Sequence, residues 1–310
     1  MEWLDVSDVS DDGLVGTFVT PSTEPRPGVL FLGGSEGGRP VYWASQLAAE
    51  GFSCLALRYY GTPPLPRTLV EVPLDYVEAA LGWLARQPQV QGPRLGIVGN
   101  SKGAELALLA AAMLPVSVGA IVAYAPSAVA FAGISFGRSG KRHSSWSFRG
   151  SPVPFVPYPR RAWPAVGPRG LSLAPIYRGA LRNGEAVNDA AIPIERTSAR
   201  ILLISGRRDR MWPSAEMADM VVARLAANGK EDSARHLCFE DAGHSFMPWA
   251  PGGSKVLGAA LDALRLRGFG GVFDLGGRPS ANREALREAW SEAVQFLREH
   301  LVVEAGVARQ

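Results

Sequence analysis

Seven short apolar runs recur along the first 240 residues, and helical patterning fills most of the gaps between them. The runs are GTFVT (16–20), GVLFLG (28–33), SCLALRY (53–59), RLGIVG (94–99), AIVAYAP (120–126), ARILLISG (199–206) and ARHLCFE (234–240). From residue 28 onward they are rich in Val, Ile and Leu and often bounded by Gly or Pro. That composition suits strands buried on both faces of a parallel sheet. Helices are predicted over 40–51, 70–88, 101–113, 214–229 and 281–300. In the last, Leu286, Trp290, Val294, Leu297 and Leu301 fall on one stripe at helical spacing. Strand alternating with helix predicts a doubly wound α/β sheet, whose sites lie beyond the carboxyl ends of the strands.

One interval breaks the alternation. Residues 135–185 are rich in Pro, Gly, Arg and aromatics and carry no period, so they are read as a lid insertion after the strand 120–126. Residues 1–310 otherwise read as one domain, ending in a frayed tail at 303–310. The chain has 310 residues, 47% of them hydrophobic, which suffices for one large core. No apolar stretch is long enough to predict a transmembrane helix. The acidic start, MEWLDVSDVSDDG, lacks the basic and apolar regions of a secretory signal, so a cytoplasmic location is expected. Cys54 and Cys238 lie in strand-like runs and read as reduced core thiols. The four histidines lack ligand spacing, so neither a metal nor another cofactor is expected.

The chemistry centres on RLGIVG-Asn100-Ser101-Lys102-Gly103-AELALLAAAM. Gly99 to Gly103 fits G-x-S-x-G between a strand and a helix, the setting of a nucleophile elbow. A side chain two positions either side of the serine would clash in so tight a turn. The alternative is a serine that merely caps an ordinary helix. A serine nucleophile needs a histidine base and an acid to orient it. All four histidines follow Ser101. His143 falls in the basic interval, His236 inside a strand pattern, and His300 at a helix end. His244, in the loop Asp241-Ala242-Gly243-His244 after the last strand, is the candidate base. Asp209 follows the strand ILLISG and is the candidate acid; Asp241 competes, but sits only three residues before His244. The oxyanion is assigned to the N–H of Lys102 and of Ser35, with Gly34 close behind, from the turn Gly33-Gly34-Ser35-Glu36-Gly37-Gly38. A phosphate-binding reading of that turn is set aside because the fingerprint spacing is missing.

These residues resemble the catalytic domain of acyl-CoA thioesterases and bile acid-CoA:amino acid N-acyltransferases, near the dienelactone-hydrolase-like branch of the α/β-hydrolases. The resemblance rests on G-x-S-K-G-A-E-L with Lys102, Glu105 and Leu106, and on Leu55-Ala56-Leu57-Arg58-Tyr59-Tyr60. It continues through Ile192-Pro193-Ile194-Glu195, Gly206-x-x-Asp209-x-x-Trp212, Gly243-His244, and Gly276-Gly277 before a helix with Ala289-Trp290. It spans roughly 27–302 and implies an α/β-hydrolase fold with a mostly parallel sheet. Larger members carry an N-terminal β-sandwich, which these 310 residues lack. Asn100 departs from the apolar residue usual in the elbow. In this family serine at the elbow accompanies hydrolysis and cysteine accompanies amide formation.

The resemblance therefore implies acyl-CoA thioester hydrolysis through a serine acyl-enzyme. Rival readings are a carboxylesterase or lactone hydrolase on uncharged esters, an acyl-CoA:amine N-acyltransferase, and a silent hydrolase-fold scaffold. Between Glu105 and Glu185 there is no acidic residue, against nine Arg or Lys. Arg160, Arg161 and Trp163 in that interval, with Trp212, are taken as contacts for an anionic acyl thioester. No nucleic-acid partner is expected.

Overall fold

The computed structural model describes residues 4–21, 24–135, 142–161, 163–246, 269–270 and 272–302. Arg138, Lys141 and the tail 303–310 lie outside the described residues. In chain order the strands are β1 (Asp5–Val9), β2 (Gly16–Thr20), β3 (Arg26–Leu32), β4 (Ser53–Leu57), β5 (Val72–Pro73), β6 (Val90–Asn100), β7 (Val118–Tyr124) and β8 (Trp146–Phe148). They continue as β9 (Ser151–Pro152), β10 (Ala165–Gly167), β11 (Gly170–Ser172), β12 (Arg200–Gly206), β13 (Ala234–Phe239), β14 (Phe269–Gly270) and β15 (Phe273–Asp274). The helices are α1 (Val41–Ala49), α2 (Leu74–Ala85), α3 (Lys102–Met113), α4 (Ala174–Leu181), α5 (Gly184–Asp189), α6 (Ser214–Ala227) and α7 (Pro279–Leu301).

The main sheet runs β1-β2-β4-β3-β6-β7-β12-β13. β1–β2 and β2–β4 pair antiparallel, and every pair from β4 to β13 is parallel. This is the α/β-hydrolase fold that the alternation and the elbow imply. Side chains alternate across each strand. Leu30 and Leu32 join the core under α2, α3 and α6, while Val29 and Phe31 join the core under α1 and α7. Two buried faces explain why these strands read as unbroken apolar runs. The chain leaves β3 for β4 on one side and returns as β6 on the other. That reversal opens a crevice at the carboxyl ends of β3 and β6. No described helix is long and apolar enough to cross a membrane.

Three elements differ from the expectations. β1 was not foreseen, because four of its five residues are exposed and its sequence, DVSDV, has no apolar run. The helix expected over 70–88 starts at Leu74, after Pro73 at its N-cap. A proline steers the residue before it away from helical angles, and Val72–Pro73 instead pairs with Trp146–Ser147. The 135–185 interval is not structureless. It holds the antiparallel pairs β8–β9 and β10–β11 and the helix α4. Strands of two or three residues carry no readable period. They form because β5 and β15 supply the pairing partners.

Candidate active site

Ser101 lies between β6 and α3 with φ 54° and ψ −118°, a backbone conformation that a non-glycine residue rarely adopts. Its N–H donates to the Tyr124 carbonyl at 2.8 Å, tying the turn to β7. A Cβ on Gly99 would lie 2.3 Å from the Gly103 carbonyl oxygen, and one on Gly103 would lie 2.2 Å from that of Gly33. The two glycines are therefore required by close backbone approach, as the spacing suggested. The N–H of Lys102 opens α3, where helical donors have no intrahelical partner.

Asp209 follows β12 and is 3% exposed. Its Oδ1 accepts the N–H groups of Met211 and Trp212 at 2.8 and 3.2 Å. Its Oδ2 accepts the Ser214 hydroxyl at 2.7 Å and lies 2.7 Å from His244 Nδ1. Three donors thus fix the carboxylate that faces the imidazole. Asp241 instead pairs with Arg208 at 2.8 Å and with Arg278, shaping the loop. A third segment holds the Asp209 and His244 loops together. Leu275 accepts the His244 N–H at 2.7 Å, and Asn282 Oδ1 accepts the Gly243 N–H at 2.9 Å. A Cβ on Gly243 would lie 2.3 Å from the Leu275 carbonyl oxygen. Ser214, Leu275 and Asn282 were not singled out from sequence. The available signal for Asn282 was an asparagine four residues before Leu286, in line with the apolar stripe of that helix.

Among the described residues, no hydrogen bond joins the Ser101 hydroxyl to His244. In resting enzymes such contacts are often long and tighten with substrate. The other histidines lie elsewhere. His143 is exposed beside Glu71 at 2.9 Å, and His300 meets Phe296 edge-on at 4.5 Å. His236 Nε2 is 2.6 Å from the Ser205 hydroxyl, and its Nδ1 is 3.0 Å from Asp219.

The Gly-rich turn after β3 is held by the tyrosine pair. Tyr59 donates to the Gly33 carbonyl and Tyr60 to that of Ser35, each at 2.6 Å. Burial, helped by nearby Glu36, raises both phenols above their usual range and keeps them protonated as donors. A Cβ on Gly34 would lie 3.3 Å from Ser101 Cβ, so the turn abuts the elbow. The Gly34 N–H is taken by Glu36 at 3.0 Å. The Ser35 N–H has no partner among the described residues.

The basic interval is less basic in space than in sequence. Arg149 pairs with Asp75 at 2.6 Å and Glu78 at 2.7 Å, and Arg178 with Glu216 at 2.7 Å. Arg169 lies 3.4 Å from Asp274, a buried carboxylate that Arg210 also approaches at 3.2 Å. Arg160 and Arg161 are exposed, and no described carboxylate pairs with them. Trp163 is 81% exposed, whereas Trp212 is 2% exposed. The two tryptophans therefore stand in different places. Trp212 packs edge-on to His244 at 6.1 Å and donates to the Ala125 carbonyl at 3.2 Å.

Residues 72–303 match the family model described as BAAT / acyl-CoA thioester hydrolase C terminal. The chain belongs to this family. It is 30% identical over 285 residues to human mitochondrial acyl-coenzyme A thioesterase 2, covering 92% of this chain and 54% of that protein. It is 32% identical over 291 residues to rat acyl-coenzyme A amino acid N-acyltransferase 2, covering 93% of this chain and 64% of that protein. The chain thus spans between half and two thirds of the length of these relatives. A dienelactone hydrolase described as putative, from Klebsiella pneumoniae, shares the fold at a TM-score of 0.56 and 16% identity, covering 96% of this chain and 99% of that one. The likeness to the solved structure bears on the fold, which is that of the α/β-hydrolases.

Proposed function

We propose that the chain is a serine hydrolase that cleaves acyl-CoA thioesters through an acyl-enzyme, with Ser101, His244 and Asp209 as its triad. The observation that carries the reading is the strained Ser101 turn, seated at the sheet end where Asp209 holds His244, in a member of this family. Ser101 Oγ attacks the thioester carbonyl while His244 Nε2 takes its proton. Asp209 keeps the other ring nitrogen protonated and stabilises the imidazolium. The N–H groups of Lys102 and Ser35 bind the oxyanion. His244 returns the proton to the departing CoA thiolate. It then takes a proton from the water that attacks the ester carbonyl; as the bond from Ser101 Oγ to the acyl carbon breaks, His244 gives that proton to Ser101 Oγ and the acid leaves. Serine rather than cysteine at the elbow favours water over an amine as acceptor. Two free cysteines suit a reducing compartment, and we place the protein in the cytoplasm.

A second reading is a carboxylesterase for uncharged esters. It gains from the ion pairs that neutralise Arg149, Arg169 and Arg178, leaving fewer cations for coenzyme A phosphates. A hydrolysis panel decides. Acyl-CoAs are compared with uncharged aryl esters of the same chain lengths, with glycine present as a competing acceptor. Preference for acyl-CoA with free acid as product supports the proposal. Preference for the aryl esters moves the assignment to the carboxylesterase. Acyl-glycine as main product moves it to the transferase, and no turnover of either class to a silent scaffold.

A further inference from the structure

α3 is apolar except in its first turn, where Lys102 and Glu105 are buried side by side. Lys102 Nζ is 2.7 Å from Glu105 Oε1, with side-chain exposures of 1% and 0%. The same oxygen accepts the Phe131 N–H at 3.0 Å and the Trp146 indole N–H at 2.6 Å. The ammonium also sits over the Trp146 ring, 5.1 Å from its centroid. Burial lowers the Lys102 pKa, and Glu105 opposes that shift.

Stability alone is a poor reason for such a pair, since apolar groups of similar volume often serve as well or better. Its place is more informative. Phe131 follows β7 of the main sheet, whereas Trp146 opens β8, which pairs with β5 in a separate three-stranded sheet. Both bond to one oxygen in the first turn of the nucleophile helix. Phe131 also packs with Tyr177 at 4.9 Å and Trp212 at 6.1 Å, and Trp212 meets His244 at 6.1 Å. A continuous line of contacts therefore runs from the helix behind Ser101, through Glu105, Phe131 and Trp212, to the His244 ring. Ser101 and His244 come from β6 and β13, which are separated in the sheet by β7 and β12.

We propose that Glu105 is a positioning residue that brackets the two halves of the site, fixing the Phe131–Trp212 wall and with it His244 relative to Ser101. The proposal rests on the reading of Ser101 and His244 given above. Its test removes the pair without stranding a charge. In Lys102→Met/Glu105→Leu, neither the charges nor the acceptor remain. Turnover of p-nitrophenyl butyrate should fall about ten- to a hundredfold in kcat, the scale of a small misplacement of reacting groups, with KM little changed. Lys102→Met/Glu105→Gln restores the acceptor for Phe131 and Trp146 and should recover most of the loss. A merely structural pair would lower Tm and leave kcat at 25 °C alone.

Wild-type kcat in the folded Leu variant overturns the proposal, as does an equal loss in the Leu and Gln variants. If the Leu variant fails to fold, Trp146→Phe removes a single donor. A fall of about threefold in kcat with KM held is then expected, and no fall overturns the proposal. Ser101→Ala runs beside them. Near-normal turnover there defeats the nucleophile reading and this proposal together, whereas an inactive Ser101→Ala beside an unaffected Leu variant defeats the Glu105 role alone.

Discussion

Two serine–histidine–aspartate sets run through the described residues, and the one whose serine bonds to its histidine is not the one we assign to chemistry. Ser205, His236 and Asp219 join at 2.6 and 3.0 Å, while Ser101 has no hydrogen bond to His244 among the described residues. What separates them is the backbone. Ser205 lies inside β12, which is paired on both sides, and is fully buried. No acyl carbon can reach it. Asp219 is 56% exposed and shared with Arg207, so it fixes the imidazole weakly. Ser101 sits on a turn forced to positive φ, beside a turn whose Ser35 N–H has no partner among the described residues. His244 is held by a carboxylate that three other donors fix. A triad is thus read from strand ends, strain and available N–H groups, not from the shortest serine–histidine distance.

The sharpest way to break this comparison is to delete each serine. Ser101→Ala should lower kcat about 10³-fold or more, because triad members act as a unit. His244→Ala should do the same. Ser205→Ala and His236→Gln should stay within about twofold in steady-state assays, as expected of side chains remote from the reacting atoms. Loss in the second set and not the first would exchange the assignments. The acids give the next contrast. Asp209→Asn should cost about 10² to 10⁴ in kcat, since an amide can hold the imidazole in the wrong tautomer. Asp219→Asn should leave kcat alone, and Asp241→Asn should cost less than Asp209→Asn. The reverse order in kinetics of folded protein would put the orienting carboxylate elsewhere.

Smaller effects come from charge. Raising salt to about 0.5 M should raise KM severalfold for an acyl-CoA and hardly at all for an uncharged ester, because exposed charges are then screened within a few ångströms. Arg160→Gln/Arg161→Gln should reproduce that selective rise at low salt. Equal salt effects on both substrates would remove the two arginines from substrate binding. The smallest expected effect is on stability. Burial lowers the His236 pKa below 6.5; Asp219 opposes the shift and Arg207 adds to it. The unfolded chain then binds the proton more readily than the folded one. The stabilisation is therefore present above pH 6.5 and lost as pH falls through the lower folded value. Between pH 7.5 and 5.5, Tm should fall less in His236→Gln than in wild type, by about a degree or two for a chain of this size. An unchanged slope would mean that His236 titrates as it does in the unfolded chain.

The sheet from β2 to β13 was legible because strands buried on both faces must be apolar throughout. β1, an exposed edge strand, offered no such signal, and neither did the two- and three-residue strands of the 135–185 interval. The elbow was legible because Gly99 and Gly103 are demanded by contact geometry. Partners that come from distant sequence were not. Asp75, Glu78, Glu216 and Asp274 pair with three of the nine basic residues of that interval, and no count along 105–185 can register them. Lys102 and Glu105 entered the sequence reading through the elbow motif, and their burial together was not part of it. The clue was the run that follows, LALLAAAM, since a helix apolar all round is a buried helix. Charges in its first turn had to be buried with it.

The Ser101 turn has a consequence for how such a protein ages under mutation. A residue held in a sparsely populated conformation costs about 1–3 kcal/mol. Glycine adopts positive φ with little penalty, so Ser101→Gly should melt at a higher temperature than the parent and turn over nothing. A duplicated copy released from selection can gain robustness here by abandoning its chemistry, in a single codon change for some serine codons.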